Sequence, residues 1–84
     1  MKIKSVYDNG GKTVDRYTVV FDKIENSRNV CLELSENPDN PQGFSQFGEC
    51  VEELRLGEES FGKRIKFKNL PKNVQCHVRA RIRG

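Results

Sequence analysis

The sequence predicts an α+β domain: a small antiparallel sheet of about five strands with one C-terminal helix packed on it. Three observations predict it. Apolar and polar residues alternate in several short segments, the connections between them are short, and a single apolar stripe of helical period lies near the end. A strongly bent sheet or partial barrel plugged by the helix is the alternative. The chain has 84 residues, so one domain spanning 1–84 is expected. A domain of that size has a stability of a few kcal/mol and little material for a deep cavity. Sites are therefore expected in surface grooves or between associated copies.

The elements follow in order. "IKSVY" (3–7) reads as a strand, and "DNGGK" (8–12) as a turn, because Asn and Gly tolerate positive φ. "RYTVVF" (16–21) is the clearest strand: Tyr17, Val19 and Phe21 share one face, Thr18 and Val20 the other. "VCLELS" (30–35) alternates again, with Val30, Leu32 and Leu34 together. Short connections between these three favour a meander. Pro38 and Pro41 cannot donate to a ladder, so residues 36–48 are expected to form a loop. "CVEELRL" (50–56) fits either a strand or a helical turn, and "GEESFG" (57–62) turns the chain. "KRIKFK" (63–68) is predicted as a strand with Ile65 and Phe67 inward. In "NLPKNVQCHVRARIRG" Pro71 suits a first helical position, and Val74, Val78 and Ile82 recur at i, i+4 and i+8.

Charge is divided unevenly. Residues 1–62 carry seven Lys/Arg and twelve Asp/Glu, a net −5, while residues 63–84 carry eight Lys/Arg and no acid, so the total is +3. A split of this kind points to a polyanion contact or to neutralisation within the fold. "MKIKSVYD" is followed by no apolar signal region, and no run approaches a membrane span, so a cytoplasmic chain without membrane attachment is expected. Three cysteines without paired spacing, and one histidine, argue against a disulfide framework and against structural zinc. No cofactor is expected, and Cys31 reads as a small core hydrophobe.

The stretches "RYTVVF", "LELSENP", "PQGFSQFGEC" and "FGKRIKFKNLPKNVQCHV" together resemble small uncharacterised bacterial proteins, many of them from phages or mobile elements. The resemblance runs from Arg16 to Val78. Phe61-Gly62-Lys63 departs from the Leu-Gly-Lys expected there. It implies no activity and transfers no catalytic residue; it directs attention to the Pro-Gln-Gly-Phe-Ser-Gln block.

Two surfaces are candidates. In the loop 41–47, Gln42, Phe44, Ser45, Gln46 and Phe47 offer amides, a hydroxyl and aromatic faces. The plainer reading has the two rings tucked inward, each burial worth roughly 1.5–3 kcal/mol, with Gln42, Ser45 and Gln46 left for contact. In the basic segment 63–83, Arg64, Lys66, Lys68, Lys72, Arg79 and Arg83 are candidate polyanion contacts. Strand and helix cations are expected on opposite sides of the domain, and the plainer reading is a solvated surface balanced by Glu52, Glu53, Glu58 and Glu59. Cys76, between Lys72 and Arg79 on the helix, is a third candidate as a reactive thiol. A Cys76–His77 pair is excluded by the ~100° between adjacent helical residues, and Cys50 could reach His77 only through the fold. The leading expectation is a non-enzymatic binding module using the loop 41–47, with a nucleic-acid binder using residues 63–83 as the alternative. The partner is a protein or nucleic acid, and a homo-oligomer is compatible with either.

Overall fold

A computed structural model describes residues 2–22, 30–49 and 62–83. Two adjoining strands, β1 (Ile3–Asp8) and β2 (Tyr17–Phe21), are antiparallel, with Val6 opposite Val19 and Asp8 opposite Tyr17. Their connection runs from Asn9 to Arg16 and is longer than the tight hairpin that "DNGGK" suggests. Gly10 and Gly11 adopt φ of 78° and 88°, a left-handed conformation costly for side-chain-bearing residues. The Asn9 Oδ1 accepts the backbone N–H of Gly11 at 2.8 Å and of Lys12 at 3.1 Å. Local capping of this kind is why an Asn leads the turn.

β3 (Val30–Leu34) pairs with β2, and β4 (Ser45–Glu49) pairs with β3. β5 (Lys63–Ile65) returns to the other edge, beside β1. The order is β4-β3-β2-β1-β5, an open antiparallel sheet and not a closed barrel. A 3-10 turn at Phe67–Asn69 leads into helix α1 (Lys72–Arg83).

One face of the sheet lies under α1. Val6, Val19 and Leu32 form a row across it with Ile65 and Phe47 at its ends. Val74 and Val78 close over that row, both wholly buried, with Ile82 packed at the margin. The stripe predicted at i, i+4 and i+8 is therefore the packing face of the helix. Gln75 is buried too: its amide donates to the carbonyls of Leu70 at 2.8 Å and Lys68 at 3.2 Å. Those bonds satisfy carbonyls where the chain turns into the helix, which makes burial of a polar group tolerable. On the opposite face Tyr7, Val20 and Cys31 form a second small cluster, so β2 is buried along its whole length.

Three expectations are corrected. The loop predicted over 36–48 ends early: β4 starts at Ser45, and Phe47 sits in the ladder opposite Leu32. Alternation in "SQFGE" is masked by a single apolar residue and a glycine, so the strand carries a weak signal. The strand predicted over 63–68 stops at Ile65, and Phe67 belongs to the 3-10 turn. Cys31 is disulfide-bonded, not a free thiol, and its partner lies outside the described residues. The expectations for 50–61, including Cys50, Glu52, Glu53, Glu58 and Glu59, also fall outside the described residues.

Candidate functional site

The basic segment builds a groove at the β1/β5 edge. β5 pairs with β1 only at Val6, Tyr7 and Asp8. Beyond Ile65 the chain peels away through Lys66 into the 3-10 turn, leaving the start of β1 without a neighbouring strand on that side among the described residues. The register of β1 on β2 slips between Ile3 and Ser5, placing Lys4 as the extra residue of a β-bulge. A bulge bends a strand and re-aims its side chains. The resulting open groove has a volume of about 1070 Å³.

Lys4, Lys63, Arg64, Lys66 and Lys68 all line this groove. Asp8 lines it as well, but that carboxylate is committed elsewhere. Arg16 grips it through Nε at 2.8 Å and a second nitrogen at 3.2 Å, and this guanidinium holds its carboxyl below the usual carboxylate range. Arg16 also reaches Glu36 at 2.7 Å, tying both hairpin ends to the loop after β3. The Ser5 hydroxyl is buried and has no hydrogen-bond partner among the described residues. A buried unsatisfied hydroxyl costs roughly 1–3 kcal/mol.

The six residues singled out in the basic segment are thus divided. Arg64, Lys66 and Lys68 meet in the groove. Arg79 lies behind it, its guanidinium 5.2 Å from the ring of Phe67, which itself lines the groove. Lys72 and Arg83 are exposed on α1 and do not line it. None of the three helix cations lines the groove, and Arg79 meets the segment that follows β5 through the ring of Phe67, which the 3-10 turn folds against the helix. Nothing in the sequence points to Lys4: it is remote along the chain and joins only through the β1–β5 pairing.

The other candidate surface is at the far edge of the sheet. Residues 36–44 form a tightly bonded loop: Asn40 N–H donates to Asn37 O at 3.1 Å and Gly43 N–H to Asn40 O at 2.7 Å. Gly43 permits this, since a Cβ there would collide with the Asn37 carbonyl oxygen. Gln42 and Gln46 are exposed, and Phe44 and Phe47 are half-buried. Phe47 packs against the core, 6.2 Å from Phe21 between ring centroids, with the Arg81 guanidinium 4.8 Å from its own ring. That ring anchors β4, as the plainer reading holds.

Ser45 is placed otherwise. Its hydroxyl lies 2.8 Å from His77 Nε2, and His77 Nδ1 lies 2.7 Å from Asp39 Oδ1. One turn earlier on α1, Asn73 Nδ2 donates to Asn37 Oδ1 at 3.0 Å. His77 and Arg81 flank the apolar stripe in the sequence, and Asn73 extends them to a second stripe at i, i+4 and i+8. Cys76 is free and exposed on the helix.

Glu33, opposite Gln46 in the ladder, meets the carboxyl of Asp15. Hydrogen bonding to Asp15, with burial, raises Glu33 to about 7, and the bond it donates lowers Asp15. Among the described residues no group of three His, Cys, Asp or Glu is placed to hold a metal ion. No helix among them is long and apolar enough to cross a membrane. Neither a family model, nor a curated protein, nor a solved structure matches this chain.

Proposed function

We propose that the domain binds nucleic acid through its phosphate backbone, using the groove between β1 and the segment that follows β5. One observation carries this reading: Lys63, Arg64, Lys66 and Lys68 line a single groove, and Asp8, the carboxylate among its described lining residues, is already neutralised by Arg16. Cations converging on one surface are what phosphate contact requires, and such contacts carry no base specificity. Arg79 adds charge at the back of the groove through Phe67.

Titrating labelled single- and double-stranded oligonucleotides across a salt series tests it. Four neutralised phosphates give a slope of log K against log salt near roughly −2.8 for single strands and −3.6 for duplex. The double reversal Lys66→Glu with Lys68→Glu abolishes binding, whereas Arg83→Glu, outside the groove, changes it little. Equal losses from both variants would show a diffuse charge effect and remove the groove from consideration. A second reading is contact with a protein through Gln42 and Gln46, favoured by their exposure on a loop and strand already fixed by backbone hydrogen bonds. Paired alanine substitution there leaves folding intact and weakens that partner alone.

A further inference from the structure

The hydrogen-bond relay at the β4 edge has the order of parts found in serine nucleophiles: hydroxyl, imidazole, carboxylate. We propose that Ser45 is an acyl-accepting nucleophile for activated carboxylic esters, with His77 as its base and Asp39 as the positioning residue. This site lies at the opposite edge of the sheet from the basic groove and is independent of the nucleic-acid reading.

The protonation pattern follows from the partners. An ionised carboxylate only accepts, so Asp39 Oδ1, 2.7 Å from Nδ1, fixes the ring proton on Nδ1. In the neutral ring Nε2 then presents a lone pair, and the Ser45 hydroxyl at 2.8 Å donates into it. Each part is fixed by different structure. Ser45 opens β4 opposite Leu34. His77 projects from α1 between buried Val74 and Val78, with its side chain only 15% exposed. Asp39 sits in the loop that Gly43 allows to close.

A place for the developing oxyanion is also present. Ser35 N–H donates to Phe44 O at 2.9 Å, so the next pair, Leu34 with Ser45, is a non-hydrogen-bonded position of the ladder. The Ser45 N–H therefore points away from β3, at the outer strand of the sheet. A nucleophile's own N–H is a usual oxyanion donor. Two residues along β4, Phe47 under Arg81 offers an apolar wall for a short acyl chain.

The chemistry balances without a further reagent. Ser45 Oγ forms a bond to the ester carbonyl carbon as its proton passes to His77 Nε2. The bond to the leaving oxygen breaks, and that oxygen takes the proton from Nε2. Water, deprotonated by Nε2, then bonds to the acyl carbon; the bond to Ser45 Oγ breaks, Oγ takes the proton back from Nε2, and the acid is released.

A fluorophosphonate probe and 4-nitrophenyl acetate, each followed by intact mass and peptide mapping, test the assignment. The expected result is a single adduct on Ser45, absent in Ser45→Ala. Its rate of formation falls roughly 100-fold or more in His77→Gln, the range of general-base catalysis. Asp39→Asn also slows labelling by leaving the ring in the wrong tautomer. Its side chain is 65% exposed, so this variant reports on the relay even if His77→Gln fails to fold, with circular dichroism confirming the native state. Labelling of Ser45 at the same rate in Asp39→Asn as in the parent, or no adduct on Ser45, overturns the proposal and leaves the relay as a pin between loop and helix.

Discussion

Replacing Glu33 by Gln removes a charge that the fold holds in an unfavourable place, and its effect depends on pH in a defined direction. Glu33 titrates at about 7, against 4.5 for an unperturbed glutamate, because its proton is shared with Asp15 and it is partly buried. The folded chain thus holds this proton more tightly than the unfolded chain does. The resulting stability is full below pH 4.5, declines as pH rises, and is lost above about 7. At 1.36 kcal/mol per pH unit the ceiling is about 3.4 kcal/mol. Glu33 is only partly buried, so solvent screening reduces this to about 1–2 kcal/mol. Asp15 shifts in the opposite direction, but its titration falls below 3.8, outside the window. The amide that Glu33→Gln introduces still donates to Asp15 and does not titrate. Thermal melts of parent and variant from about pH 4.5 to 8.5 should converge at the acid end. At about pH 8 the variant should melt higher by roughly 5–10 °C, as about 1–2 kcal/mol implies for a domain of this size. Comparing the two chains cancels the titration of every other group. Melting curves that stay parallel across the whole range would refute the shared proton.

The remaining predictions concern packing and the cysteines. Gly43→Ala drives a Cβ into the Asn37 backbone carbonyl, so it should destabilise the domain and break the 2.7 Å bond from Gly43 N–H to Asn40 O, read as faster amide exchange at that position. Leu32→Ala empties the centre of the core row, where Leu32 is wholly buried, and should cost about 2–5 kcal/mol in chemical denaturation. In native protein without reductant, iodoacetamide should modify Cys76 at once and leave Cys31 untouched until a reductant is added, as peptide mass mapping would show.

Much of the fold could be read directly from residue order. Tyr17, Val19 and Phe21, and then Val30, Leu32 and Leu34, fall at alternate positions of two strands, and these sets face the main core. Val74, Val78 and Ile82 mark the helix face without ambiguity. β4 was not legible, because Ser45, Gln46 and Gly48 surround one apolar residue and the preceding prolines dominate the local signal. The candidate sites were legible only in part. Loop residues Gln42 and Ser45 and cations Arg64, Lys66 and Lys68 stand out for their chemistry. Their partners do not, since Lys4 joins Lys66 and Lys68 through strand pairing, and His77 joins Ser45 and Asp39 across 32 and 38 residues of chain.

Residue order alone specifies an α+β architecture, the inward faces of its principal strands and helix, and a basic segment at 63–84 with no acid in it. These are local properties: period, turn chemistry and composition act between near neighbours. Which charges meet and which polar groups touch is set by the tertiary structure, through the way these elements pack. It placed Asp8 in the grip of Arg16, so that the carboxylate lining the groove is neutralised from within the fold. It aligned Asn73 and His77 along the loop, and it set Glu33 against Asp15. Electrostatic and hydrogen-bond energies depend on separations of a few ångströms. Such separations between residues remote in sequence are fixed by sheet order and by the seat of the helix on the sheet.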